Sequence, residues 1–328
     1  MSPKSVIRTL LLAAVAAAAP FVARAQAQAP AAAAWPTKPI RIVVPFPAGT
    51  SPDVIARHWS DRLGKALGQT VIVDNKPGAA TIIGAQLAAT APADGYTILY
   101  TAQNTMSINP HVYRALPYKP SDFVPVSHVA SVPLVLIVPV NSPYRSVKDL
   151  LDAAKANPGK LNYASYGIGQ GTHVVMARLL HGSGVQMTHV PYKDGGILDV
   201  IGGAVNVSFE ASTSALPQVA GGKLRALAVT STRRLEALPD VPTVAETVPG
   251  FIGDSWHGVF VPRGTPADVV ARIAAESQKI VASDDFRARL REAGLTPRGG
   301  TPAEFAAYLA DESRVWSQVV KDNDIKVE

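Results

Sequence analysis

The chain of 328 residues contains no cysteine. This absence excludes disulfide bonds, thiolate metal ligands, a cysteine nucleophile and lipid attachment at an N-terminal cysteine. Stability must therefore come from hydrophobic cores, and a chain of this length has enough residues for two of them.

Charge is also sparse, and it forms no patch that would suit a polyanionic partner. Charged residues make up 17% of the chain, and the formal net charge is +6. Lys4, Arg8 and Arg24 contribute to that charge with no acid beside them. No run of Lys and Arg with interleaved aromatic residues occurs, so the sequence predicts no nucleic-acid partner.

Motifs for catalysis and for cofactors are missing as well. The 7 histidines form neither H-x-x-x-H nor H-E-x-x-H, so no zinc site is predicted. There is no G-x-S-x-G nucleophile elbow. Gly167, Gly169 and Gly171 have the spacing G-x-G-x-G rather than G-x-G-x-x-G, which disfavours a dinucleotide site. We therefore expect no catalytic residue, metal or cofactor, although a triad assembled from distant residues stays open.

The N-terminus has the pattern of a secretory signal. A basic start and an apolar run over residues 10–19 precede Ala23-Arg24-Ala25, which fits a signal-peptidase site. The apolar run is too short to span a membrane. We expect a signal peptide over residues 1–25, a disordered leader over residues 26–34, and a mature protein that is periplasmic and has no membrane anchor.

Short β-rich runs alternate with helical stretches, which predicts an α/β fold. We expect two lobes, each a mostly parallel sheet flanked by helices. The first lobe would comprise residues 35–133 and 258–328, and the second residues 134–257, with the chain crossing over residues 131–142 and 255–263. The expected strands are 40–44, 71–74, 97–100, 134–138, 161–164, 187–190, 205–209, 224–229 and 258–261.

Residues 47–53 read as an anion cradle. A strand, a glycine, Ser51 as helix N-cap and Pro52 at the first helical position would aim free N–H groups and the positive end of a helix dipole at one spot. Asp53 is expected to hold the loop through backbone N–H groups. Many such loops only start a helix, so ligand binding and simple capping both stay open.

A second cradle, residues 165–172 (S-Y-G-I-G-Q-G-T), follows another expected strand. An anion would meet the helix start at Thr172, with the hydroxyls of Ser165 and Thr172 and the Gln170 amide as further donors. His173 is expected to cap or pack there rather than act as a base. Two such loops suggest two lobes around one ligand. A third small-residue turn, residues 77–84, is expected beside the first.

Several short motifs occur from about Trp35 to the C-terminus: Trp35-Pro36 with Pro39-Ile40, Val44-Pro45-Phe46-Pro47-Ala48-Gly49, Asn75-Lys76-Pro77-Gly78-Ala79, Ala93-Asp94-Gly95-Tyr96-Thr97, Asn109-Pro110, Asn157-Pro158-Gly159-Lys160-Leu161-Asn162-Tyr163, His189-Val190-Pro191-Tyr192-Lys193 and Leu238-Pro239-Asp240-Val241-Pro242-Thr243. Taken together, these motifs resemble the periplasmic solute-binding receptors of the tripartite tricarboxylate transporter family, also called Bug proteins. That resemblance implies a two-lobed fold of the type II periplasmic-binding-protein kind, closing on a small carboxylate.

The resemblance also implies that the ligand is held by three loops, with ordered water bridging some contacts. Relatives usually carry Gly at Thr50, a Gly pair at Ala80-Thr81 and Ser or Thr at Gln170, so the family pattern does not identify the ligand. The expected ligand-binding residues are Pro47, Ala48, Gly49, Thr50, Ser51, Asp53, Ala79, Ala80, Thr81, Ser165, Gly169, Gln170, Gly171 and Thr172.

Two functions follow from these observations. The first is a monomeric, non-enzymatic receptor that captures a small organic acid and delivers it to membrane transporter subunits or presents it to a sensor kinase. The alternative is a secreted α/β enzyme acting on a carboxylated substrate. The missing catalytic motifs favour the receptor.

Overall fold

Two β-sheets organise residues 35–327, the part of the chain that the computed structural model describes. The predicted signal peptide and leader lie outside these residues. No helix in the described range is both long and apolar enough to cross a membrane. The helices are α1 (Ser51–Leu67), α2 (Ile82–Ala89), α3 (Asn109–Val112), α4 (Val147–Ala156), α5 (Gly171–Ser183), α6 (Ile197–Ile201), α7 (Ser212–Ala220), α8 (Ala267–Ala282), α9 (Asp284–Glu292) and α10 (Pro302–Asp322).

The first sheet has six strands in the order β11-β4-β10-β3-β1-β2. Its inner strands are almost wholly apolar and buried, as expected for strands covered by helices on both faces. The strands are β1 (Ile40–Val44), β2 (Val71–Asn75), β3 (Thr97–Ala102), β4 (Phe123–Val132), β10 (Ser255–Pro262) and β11 (Thr296–Pro297).

The second sheet has five strands in the order β7-β6-β8-β5-β9. Helix α5 packs on this sheet, and its Val174 belongs to the same hydrophobic core as Phe209 of the sheet. A separate core contains Val135, Ala164 and Val200. The strands are β5 (Leu134–Pro139), β6 (Asn162–Ser165), β7 (Thr188–Pro191), β8 (Val207–Ala211) and β9 (Leu224–Val229).

The α/β architecture is confirmed, but the expectation of mostly parallel sheets is wrong, because both sheets are mixed. Strand β1 runs parallel to β2 and β3, whereas β10 runs antiparallel to β3 and β4. In the second sheet β6 is parallel to β7 and β8, and β5 is antiparallel to β8 and β9. Helical crossovers produce the parallel neighbours, while the strands that pass between the sheets enter in the opposite direction.

The chain crosses from the first sheet to the second at Pro133, which alone separates β4 from β5. The return was expected over residues 255–263. All of β10 pairs within the first sheet, starting with Ser255 opposite Val132. The return therefore lies before Ser255, and residues 255–257 belong to the first sheet rather than to the second lobe.

Helix α10 contributes to both cores. It begins with a capping box in which Thr301 Oγ1 accepts from Glu304 N–H at 3.2 Å and Glu304 Oε2 accepts from Thr301 N–H at 2.7 Å. Near its start, Phe305 packs in the core of the first sheet. Further along, Trp316 and Val320 pack in the core of the second. This helix is thus a third link between the sheets.

Candidate ligand-binding site

The three expected site loops, and the segment after β3 that was not expected, follow the carboxyl ends of parallel strands. Residues 45–50 follow β1, residues 76–81 follow β2 and residues 103–108 follow β3. Because β1 pairs in parallel with both neighbours, these ends share one edge of the first sheet. Residues 166–170 follow β6, beside the ends of the parallel strands β7 and β8. Ligands of open α/β sheets commonly bind at such edges.

Asp53 holds the first loop in place. Its carboxylate accepts from Gly49 N–H at 2.8 Å and from Asn75 Nδ2 at 2.8 Å, and it pairs with Arg57 at 3.0 Å. Burial opposes ionisation, but hydrogen bonds from Arg57, Gly49 and Asn75 outweigh it, so the pKa of Asp53 lies below its usual value. Both oxygens have protein partners, which fits the expected loop-holding role.

The N-cap of α1 is Thr50, not Ser51 as expected from the sequence. The backbone of Thr50 is still extended, with φ −74° and ψ 162°, and its carbonyl accepts the first helical bond from Val54 N–H at 2.9 Å. Its hydroxyl donates back to Pro47 O at 2.7 Å instead of capping the helix. Ser51 Oγ is buried without a hydrogen-bond partner in the described structure. Its hydroxyl therefore has no protein partner at the helix start.

The second turn of this lobe has an unusual backbone. Ala79, Ala80 and Thr81 have φ values of 43°, 52° and 78°, in the left-handed region that residues other than glycine rarely adopt. Asn109 Nδ2 donates to Ala80 O at 2.8 Å, and the hydroxyls of Thr81 and Thr105 lie 2.8 Å apart. Such strain persists where surrounding contacts enforce it, and it concentrates at binding sites.

Two histidines hold the loop of the second lobe. Ser165 is 1% exposed, and its Oγ lies 2.6 Å from His189 Nε2 and accepts from Gly167 N–H at 3.1 Å. Gly169 N–H donates to His173 Nδ1 at 3.0 Å. The two imidazoles stack with centroids 4.0 Å apart. Burial lowers the pKa of His173 to about 4, so the neutral ring can accept that bond. This agrees with the structural role expected for His173.

Helix α5 begins at Gly171 with Gln170 as its N-cap, one residue before the expected start at Thr172. Thr172 Oγ1 accepts from Tyr166 N–H at 3.2 Å, so this hydroxyl supports the loop. Gly171 N–H donates to Asn104 Oδ1 at 3.1 Å. The remaining N–H groups of the first turn, those of Thr172 and His173, have no intrahelical acceptor and are the donors suited to an anion.

The segment after β3 was missing from the sequence-based site. The π-helical turn Asn104–Ile108 follows β3 of the first lobe, and its first residue contacts the second lobe. Asn104 contacts Gln170 and Gly171 of the second lobe, while Thr105 and Asn109 hold the strained turn. The only sequence signal was a polar run, Gln103-Asn104-Thr105, directly after an apolar strand. This segment brings residues 79–81 and 169–171 to one place.

The first loop is joined to the strained turn at the strand ends. Lys76 N–H donates to Val44 O at 2.8 Å, and a Cβ on Gly84 would lie 2.8 Å from Pro45 Cβ. That close approach requires glycine at position 84. That loops 49–53 and 165–172 bind one ligand together stays a prediction.

One cavity in the described structure lies away from the expected ligand-binding residues. A cavity of about 930 Å³ is lined by Tyr163, His173, His189 and residues 323–326, behind the second-lobe loop, and includes none of the expected ligand-binding residues. We place the candidate site at the loops because helix-start donors, a buried hydroxyl and strained backbone gather there. Within residues 35–327 no group of acidic or histidine side chains is arranged to hold a metal ion.

Two mixed sheets with polar loops at their strand ends, joined by a short crossing and a shared helix, define a two-lobed solute-binding architecture. Residues 55–325 match the family model described as tripartite tricarboxylate transporter family receptor. The chain belongs to this family of periplasmic solute-binding proteins, which confirms the resemblance drawn from its motifs.

Relatives match over almost the whole chain. The UPF0065 protein in the tcbD-tcbE intergenic region of Pseudomonas sp. (strain P51) is 40% identical over 292 residues, which are 88% of this chain and 87% of that protein. Protein BugT of Bordetella pertussis is 34% identical over 313 residues, covering 94% of this chain and 96% of BugT.

Two solved structures with bound acids are similar in fold. Rpa4515 of R. palustris with adipate is 35% identical with a TM-score of 0.82, covering 89% of this chain and 99% of that one. MatC of Rhodopseudomonas palustris with bound malate is 28% identical with a TM-score of 0.77, covering 87% and 99%.

Proposed function

We propose that this protein is a periplasmic, non-enzymatic receptor that binds a small organic carboxylate between its two lobes and delivers it to a tripartite tricarboxylate-type membrane transporter. The observation that carries this proposal is the start of α5. There the hydroxyls of Ser165 and Thr172 are held within the lobe, Gly171 N–H is held by Asn104 of the other lobe, and the N–H groups of Thr172 and His173 remain as donors. The adipate and malate bound by related structures are acids of the proposed class.

In this proposal the ligand lies between three loops. Residues 47–51 and 79–81 contribute from the six-stranded lobe, and residues 165–172 from the five-stranded lobe. Asp53 and Ser165 act by holding these loops, since their polar atoms already have protein partners. Asn104 joins the proposed site, because its side chain meets the first turn of α5 from the other lobe.

One contact bears on the enzymatic alternative. Ser165 Oγ and His189 Nε2 are 2.6 Å apart, a pairing also used in nucleophilic catalysis. However, Ser165 is 1% exposed, and its oxygen accepts from Gly167 N–H. The Ser165–His189 pair is therefore better suited to supporting the loop than to attacking a substrate. Recovery of a bound acid unchanged after long incubation would support the receptor, and turnover would support the enzyme.

A thermal-shift screen of mono-, di- and tricarboxylates tests the proposal. A ligand that binds only the folded protein stabilises it by about 2.7 kcal/mol at a hundredfold excess over Kd. We expect at least one carboxylate to raise the melting temperature in a concentration-dependent way, while the matching amide or alcohol does not. If no acid in a broad panel stabilises the protein, the proposal fails.

A further inference from the structure

Tyr166 lies beside the proposed anion donors but was not among the residues expected from the sequence. It follows Ser165, the last residue of β6, and its N–H donates to Thr172 Oγ1 at 3.2 Å. This bond fixes Tyr166 next to the first turn of α5. The residue is nevertheless 39% exposed, which is unusual for an aromatic residue at the end of a buried strand. An aromatic surface is thus presented at the carboxyl edge of the second sheet.

The ring is held at its polar end and along its side. The Tyr166 hydroxyl donates to Glu210 Oε2 at 3.1 Å. Gly195 presses against the ring so closely that a Cβ there would lie 2.5 Å from two ring carbons. An aromatic ring fixed in this way before a ligand arrives loses little conformational entropy when it is covered.

The groups around the phenol do not favour a second carboxylate there. The polar side chains that face the Tyr166 hydroxyl are Glu210, Ser214 and Asp194. Glu210 is 1% exposed, and its Oε1 has no hydrogen-bond partner among the described residues. Burial raises the pKa of Glu210 to about 8. No cation stands among these groups to balance an added negative charge.

The apolar surface next to the helix start is the ring of Tyr166 itself. Ile168, two residues further on, is 52% exposed but lines the cavity behind the loop with Tyr163 and His173. The loop therefore presents one aromatic ring close to the helix start that would hold a carboxylate. The surface suits a ligand that is charged at one end and apolar next to it.

We propose that Tyr166 determines specificity, and that the ligand is a carboxylic acid with an apolar body, a hydrocarbon chain or ring, that packs on the exposed face of Tyr166. This inference rests on the proposed carboxylate site. The carboxylate meets the N–H groups of Thr172 and His173, and the adjoining carbon atoms cover the ring. Acids that carry hydroxyl or further carboxyl groups next to the first carboxylate bind less well, because those polar groups would be desolvated against the ring.

Calorimetry with four acids tests the inference. Hexanoate and adipate have hydrocarbon bodies, whereas malate and citrate are short and hydroxylated. The wild-type protein is expected to bind the better of the first two at least about tenfold more tightly than either of the others. The variant Y166A should lose about tenfold in affinity for that acid and less than about threefold for malate. The variant Y166F keeps the ring and should restore most of the affinity.

The outcomes separate this inference from the proposed function. Binding of none of the four acids, nor of any other carboxylate, would remove the proposed function itself. Binding of citrate or malate as tightly as the apolar acids would overturn only the inference. So would Y166A with unchanged preference, or Y166F as weak as Y166A, since the hydroxyl rather than the ring would then matter. Urea unfolding of both variants verifies that they remain folded.

Discussion

Gly169 offers a direct test of how the second-lobe loop is seated. Its φ is +75°, and a Cβ at this position would lie 2.5 Å from Val112 Cγ1 and 3.3 Å from Val327 Cγ2. Val112 ends α3 in the other lobe, so the missing side chain is what lets the loop approach it. Gly159 is a matched control, because its φ is +72° and a Cβ there would meet nothing within 4 Å.

The variants G159A and G169A share the cost of backbone strain and differ in the cost of overpacking. An L-residue in the left-handed region costs about 1–2 kcal/mol, and this applies to both positions. Overpacking adds about 1–3 kcal/mol at position 169 alone. We therefore expect G169A to be less stable than G159A by about 1–3 kcal/mol. The same clash means that G169D would disturb folding as well as any ligand binding by this loop.

Equilibrium urea unfolding of wild type, G159A and G169A measures this difference. For slopes near 3 kcal/mol/M, the midpoint of G169A should lie roughly 0.3–1 M below that of G159A. Equal midpoints for the two variants would refute the close seating of the loop on Val112. A large loss in G159A would instead show that backbone strain dominates at both positions.

Three further predictions concern buried acids and domain motion. E312A should destabilise the protein by about 3 kcal/mol or more in urea, and E312Q by less, because Glu312 Oε2 accepts from three buried neutral donors, each of which costs about 1–3 kcal/mol when left unpaired. Burial raises the pKa of Glu210 to about 8 from 4.5, so the folded protein keeps a proton that the unfolded chain loses between these values. Its unfolding free energy should therefore fall as pH rises through that window, and E210Q should lack this contribution in urea titrations near about pH 5 and about pH 9. Small-angle scattering should show a smaller radius of gyration with a saturating acid from the screen, through rotation at the crossings, at Pro133 and just before Ser255; an unchanged radius at proven saturation would contradict closure.

The strands that could be predicted from the sequence are those whose apolar composition indicates burial. Residues 40–44 and 224–229 are observed as predicted, because short apolar runs of this length are typical of buried strands in an α/β fold. Strand β4 was missed apart from its end. Pro125 and the buried polar residues Ser127, His128 and Ser131 hide its pattern. Pairing with β10 on one side and β11 on the other makes it a strand, and that pairing depends on distant segments.

In the candidate site, too, local features could be predicted from the sequence and contacts between distant segments could not. Glycine, small residues and a helix start after a strand can be found in one sequence, and they predicted the three loops of the candidate site, each of which follows a strand in the structure. The contacts that bridge the loops could not be predicted from local patterns, because their partners are far apart in sequence. Asn104 and Gly171 are separated by 67 positions, and Asn109 and Ala80 by 29. The N-caps also shifted by one residue or more, since a cap is set by where the backbone leaves the extended region, not by which hydroxyl is available.

Helix α10 limits how the two lobes can move. Phe305 packs edge-on against Trp256 in the first core, with centroids 5.5 Å apart, while Trp316 is fully buried in the second core. Between them, Glu312 accepts from the indoles of both tryptophans, at 3.1 Å and 2.9 Å. A rotation that pulled Trp316 out of its core would cost an amount comparable to the loss of a buried tryptophan, about 3–5 kcal/mol. Ligand contacts in the closed form would have to supply more binding free energy than that cost. Closure by a small rotation about an axis near Glu312, with α10 left packed in both cores, requires the least binding free energy from the ligand.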